Sequence, residues 1–77
     1  MALVIIIYNR MNIFSERIKI LREERGLTQT QLAELTNLSQ AAIAKWETGD
    51  RTPCLDSLIA LSKFFGCSVD YIVGLEN

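Results

Sequence analysis

The chain has 77 residues, 49% of them hydrophobic, a size that allows one small domain with a single core. It contains two cysteines and no histidine, which excludes a disulfide framework and the common zinc spacings. We expect both cysteines to be small buried side chains in a cytoplasmic protein. The formal net charge of −1 argues mildly against nucleic-acid binding, which usually shows a basic excess, although the distribution of charge decides more than its sum.

The chain opens with a continuous apolar run at residues 3–8, in which β-branched residues dominate. This composition favours a β-strand, so we expect residues 1–11 to form a short N-terminal extension. An unpaired apolar strand promotes aggregation, so it should pair with a second protomer or with a groove of its own domain. The alternative is that Met11 is the natural start and residues 1–10 have no function. The run is too short to span a membrane and lacks the pattern of a secretory signal.

Residues 12–77 predict five helices with well-marked ends. The first begins with Asn12 as its cap and ends at Gly26. The fourth follows the break at Pro53, and the fifth begins at Ser68 and stops at Gly74. The apolar spacing predicts that these three helices bury Phe14, Ile18, Leu21, Leu55, Leu58, Ile59, Leu61, Phe65, Val69 and Ile72.

Residues 28–48 predict the second and third helices, which are short and lie across a tight turn. Thr28 and Gln31 have the spacing of a capping box, and Ser39 is the predicted cap of the third helix. Asn37 occupies the turn position where the backbone is expected to need a positive φ. Apolar pairs flank both caps at the spacing of a hydrophobic staple, Leu27 with Leu32 and Leu38 with Ile43.

These signals resemble, in order and spacing, the lambda-repressor-like domain of phage repressors and Cro, which is a helix-turn-helix DNA-binding domain. The resemblance covers residues 13–74 and is carried by 17–29, 31–33, 43–49, Pro53 and 68–74. It implies an all-α, five-helix domain at 12–77, here with an N-terminal strand, and a helix-turn-helix at 28–48. It also implies a sequence-specific regulator, a repressor of prokaryotic or phage type, that binds double-stranded DNA as a homodimer on a near-palindromic operator. We expect no cofactor, metal or small-molecule ligand.

The third helix is expected to turn Ile43 and Trp46 inward and its polar or small residues outward. In the family the outward positions meet base edges, which implies base readout by Gln40, Ala41, Ala44 and Lys45. The resemblance and the helix ends imply phosphate contacts by Gln29, Ser39, Thr48 and Arg51. Asp50 departs from the basic residues that many relatives carry there, which weakens the expected phosphate contact. Arg22 and Glu47 match a family pair of opposite charge that would orient the third helix.

Nothing in the sequence suggests catalysis, because it lacks a histidine base, an activated nucleophile and a glycine-rich phosphate loop. We therefore expect a protein that is not an enzyme. The alternative function is a protein-interaction module, antitoxin-like or an adaptor, which the low net charge and the apolar N-terminus favour. The expected dimer surface is the strand at 3–8, the fifth-helix region near Leu75, or both.

Overall fold

The computed structural model describes the backbone of residues 2–76 and the side chains of residues 13–76. Residues 2–76 form five α-helices: α1 at Ala2–Glu24, α2 at Gln29–Thr36, α3 at Gln40–Thr48, α4 at Leu55–Phe65 and α5 at Val69–Ile72. Helix α1 contacts α3 and α5, α2 contacts α3 and α4, and α4 contacts α5. The expected five-helix, all-α architecture is confirmed.

The N-terminal strand predicted at residues 3–8 is wrong, because the backbone from Ala2 onward belongs to α1. The predicted cap at Asn12 is wrong for the same reason, since the helix begins ten residues earlier. β-Branched residues cost only a few tenths of a kcal/mol each in a helix, and extending a helix avoids the cost of nucleating a new one. A dimer built on a strand at 3–8 therefore has no support in this structure.

The core lies between the five helices, each of which contributes at least one buried side chain. Phe14 and Trp46 pack edge to face, with ring centroids 6.3 Å apart, and join α1 to α3. The buried hydrophobic residues are Phe14, Ile18, Leu32, Ala33, Ile43, Trp46, Leu61, Phe65 and Ile72. Each large side chain in this set contributes about 1.5–3 kcal/mol of burial free energy. The inward orientation predicted for Ile43 and Trp46 is confirmed.

Two residues of α4 differ from the expected core. Leu55 is 66% exposed and Ile59 is 38% exposed, whereas Leu61 and Phe65 are buried. Apolar spacing alone assigned all of them to one inward face, but a helix as apolar as α4 carries more hydrophobic residues than its single buried face can cover. The Cys54 prediction is also wrong, since this cysteine is exposed at the cap position of α4, where its side chain makes no capping hydrogen bond.

The C-terminal segment is fixed against α1. The Arg17 guanidinium donates to the backbone oxygens of Tyr71 and Glu76 and lies 4.3 Å from the centroid of the Tyr71 ring. Gly74 has φ +86°, and a Cβ there would lie 2.8 Å from Cγ2 of Ile13. Only glycine therefore allows the turn after α5 to approach α1 this closely. This contact and the core hold α1 against α5 and α3.

Candidate nucleic-acid interface

The α2–α3 unit is fixed by side-chain caps at both helix starts. The Thr28 hydroxyl accepts from the Gln31 N–H at 3.1 Å, and the Gln31 side chain accepts from the Thr28 N–H at 2.8 Å. Ser39 accepts from the Ala42 N–H at 3.2 Å, which caps α3. Between the helices, Asn37 has φ 58°, the left-handed conformation that Asn tolerates better than most residues. The predicted capping box, cap and turn are confirmed.

Helix α3 presents a polar and small-residue face away from the core. Gln40, Ala41 and Lys45 are exposed and Ala44 is half-buried, while Ile43 and Trp46 face inward. The four residues predicted to read bases therefore share the outer side of one helix. Another molecule could approach this face closely, because its only large side chains among these four residues are the flexible Gln40 and Lys45.

A hydrogen-bonded ion pair joins α1 to the end of α3. Nε and Nη2 of Arg22 donate to Oε2 and Oε1 of Glu47 at 2.7 and 2.9 Å, and Nη1 donates to the Leu27 oxygen at 2.6 Å. The Arg22 and Glu47 side chains are only 12% and 5% exposed. The hydrogen bonds that Arg22 donates to Glu47 raise the pKa of Arg22 above its ordinary value, although burial opposes this shift. The geometry thus brings together the two residues expected to orient α3.

The ion pair continues into the outer face of α3 through two glutamine side chains. Nε2 of Gln29 donates to Oε1 of Glu47 at 3.2 Å, and Nε2 of Gln40 donates to Oε1 of Gln29 at 3.0 Å. An unbroken series of side-chain hydrogen bonds therefore runs from Arg22 on α1 to Gln40 on α3. Gln29, expected only as a phosphate ligand, lies at the centre of this series and is half-buried.

The remaining residues predicted to contact phosphates differ in what their polar atoms already bind. The Thr48 hydroxyl donates to Oδ2 of Asp50 at 2.9 Å and lies 3.0 Å from the Lys45 oxygen. A hydroxyl has one hydrogen, so Thr48 cannot donate to a phosphate while it donates to Asp50. The Ser39 hydroxyl is engaged as the α3 cap, whereas Arg51 is exposed in the loop after α3.

Positive charge near α3 is sparse because the described arginines on α1, and Arg25 directly after it, make contacts within the protein. Arg17 holds the C-terminal segment, Arg22 holds Glu47, and Arg25 donates to the Phe64 and Phe65 oxygens at the end of α4. Within residues 13–76, Lys45 and Arg51 form no ion pair and are exposed. These two cations therefore supply the positive charge beside the outer face of α3.

Sequence reasoning missed the side-chain hydrogen bonds that Gln29 makes with Glu47 and Gln40, and the bond between Thr48 and Asp50. The Gln29–Gln40 bond joins residues eleven positions apart on different helices, and no local spacing rule predicts such a pair. The Thr48–Asp50 bond did have a signal, since the donor and the acceptor are only two positions apart in the sequence. Asp50 was identified as a departure from the family, but not as the partner of Thr48.

Other chemistry-bearing groups do not gather in the part of the chain that the structure describes. No three residues among its Cys, Asp and Glu lie close enough to hold a metal ion. Cys54 and Cys67 are free thiols, and burial raises the pKa of Cys67. A hydrogen bond with Ser57 lowers the pKa of Cys54. None of the helices between residues 2 and 76 is both long and apolar enough to cross a membrane.

Comparison with known proteins identifies the fold family. A family model described as helix-turn-helix matches residues 18–72, which include α2, α3, α4 and α5. The chain belongs to the helix-turn-helix family. The resemblance expected over residues 13–74 is confirmed for residues 18–72.

Curated relatives of this helix-turn-helix chain are named as regulators of transcription. Over 64 residues it is 43% identical to the HTH-type transcriptional activator BcrR of Enterococcus faecalis, covering 83% of this chain and 31% of that protein. Over 62 residues it is 46% identical to the immunity repressor protein of Bacillus phage phi105, covering 80% of this chain and 43% of that repressor. Repressor protein C2 of Salmonella phage P22 is 34% identical over 61 residues, covering 79% of this chain and 28% of that repressor. The chain therefore spans less than half the length of each of these relatives.

Proposed function

We propose that this helix-turn-helix domain is a sequence-specific transcriptional regulator that binds double-stranded DNA, acts in the cytoplasm and has no catalytic role. The observation that carries the proposal is the outer face of α3, where exposed Gln40 and Lys45 flank the small side chain of Ala41. A capped helix with such a face fits the width of the major groove. The relatives named as repressors and as an activator support the same class of function.

In this proposal each outward side chain of α3 has a distinct role. Gln40 offers the amide geometry that pairs with adenine, and Lys45 offers a cation for guanine or a phosphate. Ala41 and Ala44 are small enough to contact a thymine methyl group. Gln29, Ser39, Thr48 and Arg51 lie at the ends of α2 and α3, where phosphates would approach. Thr48 would have to release Asp50 before its hydroxyl could donate to a phosphate.

The proposal includes a homodimer on a near-palindromic operator. Lys45 and Arg51 are the cations beside α3 without an ion pair, and Asp50 lies between them in sequence, so one protomer would bind DNA weakly. Two α3 helices about 34 Å apart would contact two half-sites on one side of the duplex. Such a dimer would act as a repressor where its operator overlaps a promoter, because the bound protein covers that DNA.

Selection of bound duplexes from a random DNA pool, followed by titration of the selected duplex, tests the proposal. We expect Gln40→Ala and Lys45→Ala each to weaken binding by about 1–3 kcal/mol, because each removes a base contact. Lys63→Ala is the matched control, since Lys63 is an exposed lysine on α4 and outside the motif. Unchanged affinity and sequence preference in both α3 variants would contradict the base-reading role of this face.

A second candidate function is a protein-interaction module of the antitoxin or adaptor kind. The exposed large side chains Leu35 and Leu55, 59% and 66% exposed, favour it, because apolar residues of this size are common in protein interfaces. The two functions differ in their response to salt. A regulator shows sequence-specific retardation of DNA that weakens as salt rises, whereas an adaptor shows no specific retardation at any salt concentration.

A further inference from the structure

The series of hydrogen bonds from Glu47 to Gln40 has a defined polarity, which originates at the carboxylate. An ionised carboxylate can only accept hydrogen bonds, so the Gln29 atom 3.2 Å from Glu47 must be the amide nitrogen. The carbonyl oxygen of Gln29 then faces Gln40. Only a donor can meet that oxygen, so Gln40 turns its nitrogen towards Gln29 at 3.0 Å.

This polarity fixes what Gln40 offers to a base. One N–H of Gln40 is engaged with Gln29, which leaves its second N–H and its carbonyl oxygen on the exposed side of α3. Adenine presents one acceptor and one donor in the major groove, and an amide matches it in only one of its two orientations. A flipped amide would place donor against donor, so holding the orientation excludes a mismatched mode of binding.

We infer that Glu47 is a specificity-determining positioning residue: through Gln29 it sets the orientation of the Gln40 amide and so the base pair that Gln40 accepts. This inference rests on the proposed function, because it concerns the base contact of Gln40. Glu47 itself is 5% exposed and Gln29 lies between it and the outer face, so Glu47 acts without touching the base. Its ion pair with Arg22 holds the carboxylate in place at 2.7 Å.

Two substitutions separate this role from a merely structural one. Gln29→Met keeps the length of the side chain and leaves the Arg22–Glu47 ion pair intact, but it removes both amide hydrogen bonds. Glu47→Gln keeps the shape of the side chain but can donate as well as accept, so the orientation of Gln29 is no longer imposed. If Glu47 acts through Gln29, both variants should relax preference at one and the same base pair.

The experiment selects DNA from a random pool with the full chain and with both variants, and Gln40→Ala identifies the base pair that Gln40 reads. Affinities for the selected duplex and for duplexes changed at that pair are then measured by fluorescence anisotropy, well below each variant's melting temperature. Their ratio gives discrimination independently of the folded fraction. We expect discrimination of about tenfold or more for the unmodified chain. It should fall at least threefold in Gln29→Met and in Glu47→Gln, with preferences at other pairs unchanged.

Each other outcome overturns the inference in a distinguishable way. If Glu47→Gln relaxes the preference and Gln29→Met keeps it, Glu47 acts through the fold rather than through Gln29. If Gln29→Met alone relaxes the preference, or if neither variant does, the Glu47 carboxylate does not determine the orientation of the Gln40 amide. If the unmodified chain selects no sequence, the proposed function fails and the inference falls with it. A nitrogen-15 spectrum of the free protein adds a readout without DNA, since the side-chain amide signal of Gln40 should shift in both variants.

Discussion

The two ends of α3 differ in how their side chains are held. At the N-terminal end, the exposed Gln40 is bonded to Gln29 and through it to the buried Glu47. At the C-terminal end, Thr48 is bonded to the exposed Asp50. At the N-terminal end the Gln40 amide is therefore held in one orientation. At the C-terminal end the Thr48 hydroxyl is occupied by a bond within the protein, and the Asp50 carboxylate places a negative charge beside it.

This difference indicates a division of labour along the helix. Orientation at the N-terminal end reduces the conformational entropy that a base contact would cost. At the C-terminal end, a carboxylate near the predicted phosphate position reduces the attraction that Lys45 and Arg51 provide. In the proposed regulator, sequence preference would then depend mainly on the first turn of α3, while affinity would depend on pairing two copies.

The largest expected effect comes from removing Glu47, the carboxylate to which Gln40 is connected through Gln29. Glu47→Ala leaves the Arg22 guanidinium, 12% exposed, without its carboxylate. We expect the free energy of unfolding in urea to fall by about 3 kcal/mol, as for other broken buried pairs. Glu34→Ala is the control, because this exposed glutamate on α2 should change stability by less than about 0.5 kcal/mol. A loss below 1 kcal/mol for Glu47→Ala, on the scale of exposed pairs, would show that the pair does not anchor α3.

The comparison between the two ends is sharpest in DNA binding. Gln40→Ala should weaken binding to the selected duplex by about 1–3 kcal/mol and remove preference at one base pair. Thr48→Ala should have a much smaller effect, because its hydroxyl already donates to Asp50. Parallel titrations of both variants at one salt concentration check this order. An equal or larger loss for Thr48→Ala would reverse the proposed roles of the two ends.

A smaller effect is expected at the start of α4, the next element after the C-terminal end of α3. Cys54 occupies the cap position without a capping hydrogen bond, and its sulfur lies 3.3 Å from the Ser57 oxygen. Cys54→Ser supplies a hydroxyl that caps helices well, so the free energy of unfolding should rise by about 0.5–1 kcal/mol. Urea denaturation measures the change. A decrease would mean that the sulfur contact with Ser57 outweighs a cap.

The smallest effect concerns the charge at the C-terminal end. Asp50→Asn removes a negative charge and weakens the hydrogen bond that the Thr48 hydroxyl donates to this side chain. We expect tighter binding to all duplexes by about 0.5 kcal/mol, the size of a screened charge interaction over several ångströms. Titrations against the selected and a scrambled duplex should show similar gains. A gain confined to the selected duplex would assign Asp50 to base readout instead.

Local signals explain why the α2–α3 unit was predictable from the sequence. Its boundaries depend on side chains within three residues of each helix end, such as Thr28 with Gln31 and Ser39 with the Ala42 N–H. The turn at Asn37 depends on one residue that tolerates a positive φ. These interactions join residues close together in the sequence, so predicting them needs no knowledge of the fold.

The parts that sequence reasoning missed depend on packing or on competing preferences. The start of α1 at Ala2 opposes the β-preference of residues 3–8, which is a weak bias that an established helix overrides. The Gln29–Gln40 bond exists only because α2 and α3 pack at a particular angle. The exposure of Leu55 depends on which side of α4 the other helices cover, and the apolar pattern does not specify that side.

The central proposal is that the outer face of α3 distinguishes DNA sequences, and a single titration tests it most directly. The full chain is titrated by fluorescence anisotropy with its selected duplex and with the same duplex changed at one base pair in each half-site. We predict a loss of about 1–3 kcal/mol for each changed pair, with both curves shifting to weaker binding as salt increases. Equal affinity for the two duplexes at every salt concentration would contradict the proposal.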